Sequence, residues 1–253
     1  MRVLGILGAH KRDGITAKML ETVLAAVPAP HETELLFLED YEIKPDTGAP
    51  NPQLDQIEAK LVASDVWILA APTYIGSLSG VMKNFFDCLR QRMGRFDHTG
   101  AIHPTKFKDK HYLSITSCYT SMVENVLTGA TDDTFKTIDK AMSLAGLIKV
   151  HELVLTNSFG QTQLSQAKKD ECARWGKKIA NKQKRDDNTV KRYIELFFMV
   201  AIMAIVTMGI QRLINPTLVG GRFWLSVGSF VVIFYVLLAF ILHFMTAMKH
   251  MRK

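Results

Sequence analysis

The stretch Gly8-Ala9-His10-Lys11-Arg12-Asp13-Gly14-Ile15-Thr16 sets two glycines, three basic side chains and a hydroxyl between an apolar run and a helical pattern. Glycine lets the backbone turn tightly. The unpaired N–H groups and positive dipole end of the helix that follows favour a phosphate. Lys11 and Arg12 add positive charge there, and Thr16 can place a hydroxyl at the same helix end. The stretch lacks both GxxxxGK[ST] and GxGxxG, so it is neither an ATP-type phosphate loop nor the dinucleotide fingerprint. On spacing alone, an ordinary solvated turn explains it equally well.

Two further stretches carry polar groups beside apolar runs: Pro72-Thr73-Tyr74-Ile75-Gly76-Ser77-Leu78-Ser79-Gly80, and Thr116-Ser117-Cys118-Tyr119-Thr120. Cys118 reads either as a redox thiol or, more commonly for a lone cysteine, as small buried filler. With Cys88 and Cys172 it shares no close spacing, which excludes a disulfide framework and a CxxC-type metal site. His98 and His103 lie in a polar insertion at 96–110, where they either shape a substrate mouth or stay solvated. No carboxylate–histidine pattern supports a metal.

Elements that would position these loops are legible as alternating strands and helices over residues 1–183. Short, mostly apolar runs at 3–7, 34–38, 66–71, 112–116 and 153–156 predict five strands covered on both faces. Between them lie helical patterns such as Met19-Leu20-Val23-Leu24 and Val81-Met82-Phe85-Phe86-Leu89. The expected fold is α/β, a doubly wound five-stranded parallel sheet of order 2-1-3-4-5. Ligands of such sheets bind at the carboxyl ends of the strands, so the three polar stretches belong together.

Read together, the loops resemble the flavodoxin-like NAD(P)H-dependent FMN reductases, and in particular the iron–sulfur flavoprotein branch. That family's GSPRKxGNTxxLL faces GAHKRDGITAKML here, and its PxYxGxxSxxxKxFxDR faces PTYIGSLSGVMKNFFDC. Pro72, Tyr74, Gly76, Ser79, Lys83, Phe85 and Asp87 match in one register. The resemblance covers roughly residues 1–180 and implies bound FMN with NAD(P)H as co-substrate. Its phosphate would lie against Gly8, His10, Lys11, Arg12, Gly14, Ile15 and Thr16. Its ring would rest on Pro72, Thr73, Tyr74, Ile75 and Gly76, with Thr116, Ser117, Cys118 and Tyr119 closing the other side. The flavin carries the hydride chemistry, so no catalytic acid–base residue is expected. Ala9 and Ile15 depart from the family's usual polar residues, and the stretch 43–52 lacks the cysteine cluster of the iron–sulfur branch. Homo-oligomerisation is a further implication of the resemblance.

Charge is divided unevenly along the chain. Residues 1–176 hold 19 Lys and Arg against 21 Asp and Glu, whereas residues 177–253 hold 12 against 3, which accounts for the net +7. The basic third also contains two apolar segments. Residues 223–248 run 26 positions without a charged side chain, and residues 196–211 run 16. The first of these is long enough to span a bilayer core; the second becomes so when extended over 193–214. The expected organisation is a flavodoxin-like domain at 1–183, a basic juxtamembrane linker at 184–192, a two-helix transmembrane hairpin at 193–248 and a basic tail at 249–253. Basic residues flank the hairpin outside its short linker, so both termini and the domain are expected in the cytoplasm, in a multi-pass protein of the cell membrane. The basic collar needs no nucleic-acid partner to explain it; its partner is the lipid bilayer. The function expected is a membrane-anchored NAD(P)H-dependent FMN oxidoreductase passing electrons to a small-molecule acceptor, a quinone being the candidate. The alternatives are a flavodoxin-type electron carrier for a protein partner and a non-catalytic membrane scaffold.

Overall fold

The computed structural model describes residues 1–100 and 102–180, together with helical residues spaced through 197–238. The chain divides into two compact units, Met1–Arg185 and Asp186–Lys253. In the first, the elements run β1 (Arg2–Leu7), α1 (Ile15–Ala25), β2 (Glu32–Phe37), a 3-10 turn (Leu38–Asp40), α2 (Pro52–Ala63) and β3 (Val66–Ala70). There follow β4 (Thr73–Tyr74), β5 (Ser77–Leu78), α3 (Gly80–Met93), β6 (Gly94–Phe96) and β7 (Ile102–Pro104). β8 (His111–Ser117), α4 (Met122–Thr128), α5 (Asp132–Ala145), β9 (Ile148–Leu155) and α6 (Gln166–Ile179) complete it.

The sheet order is β2-β1-β3-β8-β9, every pairing parallel. Counting only these five long strands, it is the expected 2-1-3-4-5. Side chains alternate between two cores because successive residues of a strand face opposite ways. Val3, Leu7, Ile68 and Ile115 face α1 and α6, whereas Leu4, Ile6, Trp67 and Leu69 face α2, α3 and α5. All five residues of β3 are buried, as a central strand covered on both faces requires. β9 starts five residues before the expected strand. At this sheet edge its Ile148, Lys149, His151 and Glu152 stay partly exposed, so the first half of the strand lacks a continuous apolar run.

Gly176 sets how closely α6 approaches α1. A Cβ there would stand 2.2 Å from the Val23 carbonyl oxygen and 2.9 Å from the Ala26 Cβ. Backbone cannot yield as a flexible side chain can, so Gly176→Ala must push the helices apart. It is expected to cost about 3 kcal/mol, the upper part of the range for overpacking. Urea unfolding of the full chain measures this; a loss below about 0.5 kcal/mol would contradict the packing.

The expected transmembrane hairpin at 193–248 falls partly on residues outside those described, and the segments 184–192 and 249–253 fall wholly outside. Among the described residues no helix is long and apolar enough to cross a membrane. Those described in the second unit are helical and make a small core of Ala204, Val227 and Val231, with the Phe197 ring edge-on to Tyr235 at 5.3 Å.

Candidate functional site

Three loops converge at the carboxyl end of the sheet. The first leaves β1 at Gly8, whose N–H donates to the Ala70 carbonyl of β3 at 2.8 Å. A Cβ on Gly8 would stand 2.6 Å from that of Met82, so glycine is what allows this loop to lie against α3. Ser79 fastens the contact twice, its hydroxyl donating to the Gly8 carbonyl and accepting from the Met82 N–H at the start of α3.

The loop ends at α1 in a bare helix terminus. Gly14 is its N-cap and offers no side-chain acceptor, and the first turn holds no acid. Asn51, Ser79, Ser121 and Ser165 cap α2, α3, α4 and α6, while α5 carries Asp132 and Asp133 in its first turn. Among α1 to α6, α1 alone has neither a side-chain cap nor an acid in its first turn. This donor set fits a phosphate.

The basic side chains of the loop are arranged differently from expectation. Arg12 forms a two-pronged ion pair with Asp40 and lies over the Phe37 ring at 4.5 Å. His10 Nδ1 lies 2.8 Å from Glu39 Oε1. Both are thus tied to the end of β2, and of the three only Lys11, which is exposed, has no such tie. Ala9 is buried in the core cluster that includes Ala17 and Leu20, so a serine there would bring its hydroxyl into apolar surroundings. Ile15 is partly buried against the same cluster.

Thr16 does not present its hydroxyl to solvent. Its Oγ1 lies 2.7 Å from Ser117 Oγ, both residues being buried, and the bond joins the first loop to the end of β8. The second loop is joined in the same way, for Thr73 Oγ1 lies 2.8 Å from both Thr116 Oγ1 and Thr134 Oγ1. These buried hydroxyls lock three loops into one floor. Thr134, at the start of α5, was not legible from the sequence as part of it.

Above the floor, β4 and β5 form a hairpin whose turn residues Ile75 and Gly76 have φ of 51° and 70°. Two successive positive φ angles make the tight turn suited to a short hairpin, and glycine adopts one without strain. Pro72 is buried beneath it, while Tyr74 is half exposed and its ring lies parallel to that of His10, centroids 6.3 Å apart. Cys118 is buried; it accepts from the Thr120 hydroxyl at 3.1 Å, while its N–H donates to the Leu155 carbonyl at 2.9 Å. It occupies a filler position, and Tyr119 beside it is exposed.

His98 and His103 lie elsewhere. α3 carries the chain from the carboxyl end back to the amino end of the sheet. β6 and β7 therefore stand near Gly146 at the end of α5, away from the three loops, with His103 Nε2 2.8 Å from Asp97 Oδ2. Of the two alternatives for these histidines, the structure favours the solvated one: both are exposed and neither stands at the three loops. A parallel βα unit alternates ends, and an insertion after its helix falls at the wrong end. Among the described residues no group of three His, Cys, Asp or Glu could hold a metal ion. The stretch 43–52 has no cysteine and is closed by the Arg92–Asp46 ion pair, so its residues do not fit an iron–sulfur cluster.

Residues 1–125 match the NADPH-dependent FMN reductase family. Over 106 residues the chain is 32% identical to an iron–sulfur flavoprotein of Archaeoglobus fulgidus, a match covering 38% of this chain and 51% of the relative. The chain thus spans about half the length of that curated relative. Among solved structures, an NAD(P)H:quinone oxidoreductase from Methanothermobacter marburgensis superposes with a TM-score of 0.60 at 14% identity, covering 71% of this chain and 97% of the other. An FMN-dependent NADH-azoreductase from Bacillus anthracis, in complex with FMN, gives 0.58 at 12% identity, covering 71% and 100%. At these identities the structural likeness establishes the flavodoxin-like fold.

Proposed function

We propose that this chain, whose residues 1–125 match the NADPH-dependent FMN reductase family, oxidises NAD(P)H through bound FMN and passes the electrons to a small-molecule acceptor. The observation that carries the reading is the uncapped N-terminus of α1, set beside the hairpin turn Tyr74–Gly76 and the end of β8. The first-turn N–H groups and Lys11 hold the phosphate. Arg12 and His10 hold the loop in shape through Asp40 and Glu39. The turn and Ser117–Tyr119 bound the ring, while the buried hydroxyls below keep water from its floor. Bound FMN supplies hydride acceptance and onward electron transfer. A quinone is the acceptor class favoured, in keeping with the quinone-oxidoreductase likeness. Purified protein should show flavin absorbance and oxidise NAD(P)H in steady state. Protein that takes up no FMN would defeat the reading.

Anchoring of this domain to a bilayer is part of the proposal. Support comes from the 26 uncharged positions at 223–248 and the basic residues on both sides of the apolar pair. Of its described helical residues, Ile202, Trp224, Leu225 and Val232 are more than half exposed and apolar. A topology reporter at either terminus is expected to score cytoplasmic, and one inserted at Gly220 to score external. An external N-terminus, or a Gly220 reporter on the same side as the termini, would remove the hairpin from the proposal.

A further inference from the structure

His10 is the one aromatic side chain of the first loop, and it faces solvent rather than the core. The family motif that this loop resembles carries proline at the same position, so the ring belongs to this chain and not to the common flavin scaffold. The side chain is 64% exposed, and its Nδ1 lies 2.8 Å from Oε1 of Glu39, just past the end of β2. That contact fixes the plane of the imidazole. Tyr74 stands across from it, 47% exposed, with its ring within 8° of parallel and its centroid 6.3 Å away. Paired aromatic side chains lie about 4.5–7 Å apart, and this pair is near the outer limit, so most of each face stays uncovered. Two parallel faces so placed can hold a third flat ring.

Position selects the ring. In the proposed site the flavin is bounded by the hairpin turn and Ser117–Tyr119, at the ends of β3 and β8, and a nicotinamide that gives up hydride must lie there too. His10 and Glu39 belong to the opposite flank, at the end of β2. The strand order is β2-β1-β3-β8, and with strands about 4.8 Å apart the two flanks are separated by on the order of 14 Å. A dinucleotide whose nicotinamide meets the flavin therefore sets its other base, the adenine, at the His10–Tyr74 pair.

Charge selects the nucleotide. NADPH differs from NADH by a 2′-phosphate on the adenosine ribose. Dinucleotide folds meet that phosphate with arginine, whereas an acid accepts from the free hydroxyl and repels the phosphate. Here the available groups are acidic. Glu39 is 40% exposed, and among the described residues its Oε2 has no partner. Arg12 is already engaged by Asp40 and the face of Phe37. Lys11 holds the flavin phosphate in the proposed site. We propose that His10 and Tyr74 stack on the adenine, that Glu39 accepts from the ribose 2′-hydroxyl, and that the protein takes NADH in preference to NADPH. The inference rests on the proposed function for the direction of the dinucleotide and names its co-substrate.

ADP-ribose and 2′-phospho-ADP-ribose test it, because both carry the adenosine end and neither can donate hydride. Each is titrated calorimetrically into the full chain in detergent, with and without FMN. ADP-ribose should bind at least about tenfold more tightly than its 2′-phosphate. His10→Ala should weaken ADP-ribose about tenfold, the loss of one base–aromatic stack. His10→Phe keeps a ring but not the bond to Glu39, and should stay within about threefold of wild type. Glu39→Gln should lower the preference at least about fivefold, through tighter binding of the 2′-phosphate. In steady state kcat/KM should favour NADH by a similar factor, with the difference in KM. Equal affinity for the two ligands, or tighter binding of the phosphorylated one, would overturn the NADH assignment. His10→Phe as weak as His10→Ala would overturn the stacking role. Selective ADP-ribose binding by protein that takes up no FMN would uphold the adenosine site and defeat the flavin reading. NADH oxidation through FMN without any ADP-ribose binding would do the reverse.

Discussion

Gly14→Asp is expected to leave the protein folded and slightly stabilised while lowering its affinity for FMN at least 100-fold. Gly14 has φ −65° and ψ 167°, an extended conformation that any residue adopts, and a Cβ there meets nothing closer than the Lys11 carbonyl at 3.5 Å. Aspartate fits the position and can accept from the first-turn N–H groups of α1, a gain of about a few tenths of a kcal/mol over glycine. Those same donors hold the phosphate in the proposed site. The substitution therefore both occupies them and sets a carboxylate against a dianion. A 100-fold loss corresponds to about 2.7 kcal/mol, a modest figure for charge-assisted hydrogen bonds replaced by repulsion. Gly14→Ala removes no donor and adds no charge, so its affinity should stay within about threefold of wild type. Flavin-fluorescence titration and thermal melting of the flavin-free protein separate binding from folding. Full flavin affinity in Gly14→Asp would place the phosphate elsewhere.

This contrast shows which parts of the site a sequence reveals. The fold was legible because β1, β3 and β8 are short apolar runs, and because the helices between them repeat at 3.6 residues. The three loops were legible because a parallel sheet presents ligands at one end. Roles within the loops were less so. Lys11 and Arg12 are adjacent and equally basic, yet only Arg12 is neutralised, since Asp40 lies at the end of the neighbouring strand β2. Thr16 sits where a phosphate-binding hydroxyl belongs but bonds to Ser117, 101 residues away. Such pairings depend on strand order and register, which no local pattern encodes. α4 escaped notice for the converse reason. Its apolar residues face outward, so neither burial nor linkage to a neighbouring strand marked it.

Arg92→Met is expected to destabilise the fold away from the flavin site, costing about 3 kcal/mol. Arg92 ends α3 and is 13% exposed. Its Nε donates to Asp46 Oδ2 at 2.6 Å, and its Nη1 donates to Asp55 Oδ1 at 2.6 Å and to Glu58 Oε2 at 2.9 Å. One guanidinium thus fastens the 41–51 segment and α2 to α3. Methionine keeps much of the apolar stem but leaves Asp46 and Glu58, at 17% and 15% exposure, with less compensation. Lys106 still reaches Glu58, and Asp55 is solvated, so the loss stays at the lower end of the range for a broken buried pair. The hydrogen bond from Arg92 is also the main cause that holds the Asp46 carboxyl below the usual carboxylate range. A carboxylate whose folded pKa is depressed stabilises the fold above its unfolded value, and that contribution fades as pH falls through the folded one. Wild type and Arg92→Met should therefore differ most near pH 7, with the gap narrowing as pH drops below about 4. Urea unfolding of the full chain at both pH values measures the difference. A gap that is constant or widens towards acid would show that the ion pairs of Arg92 are not what holds this part of the fold.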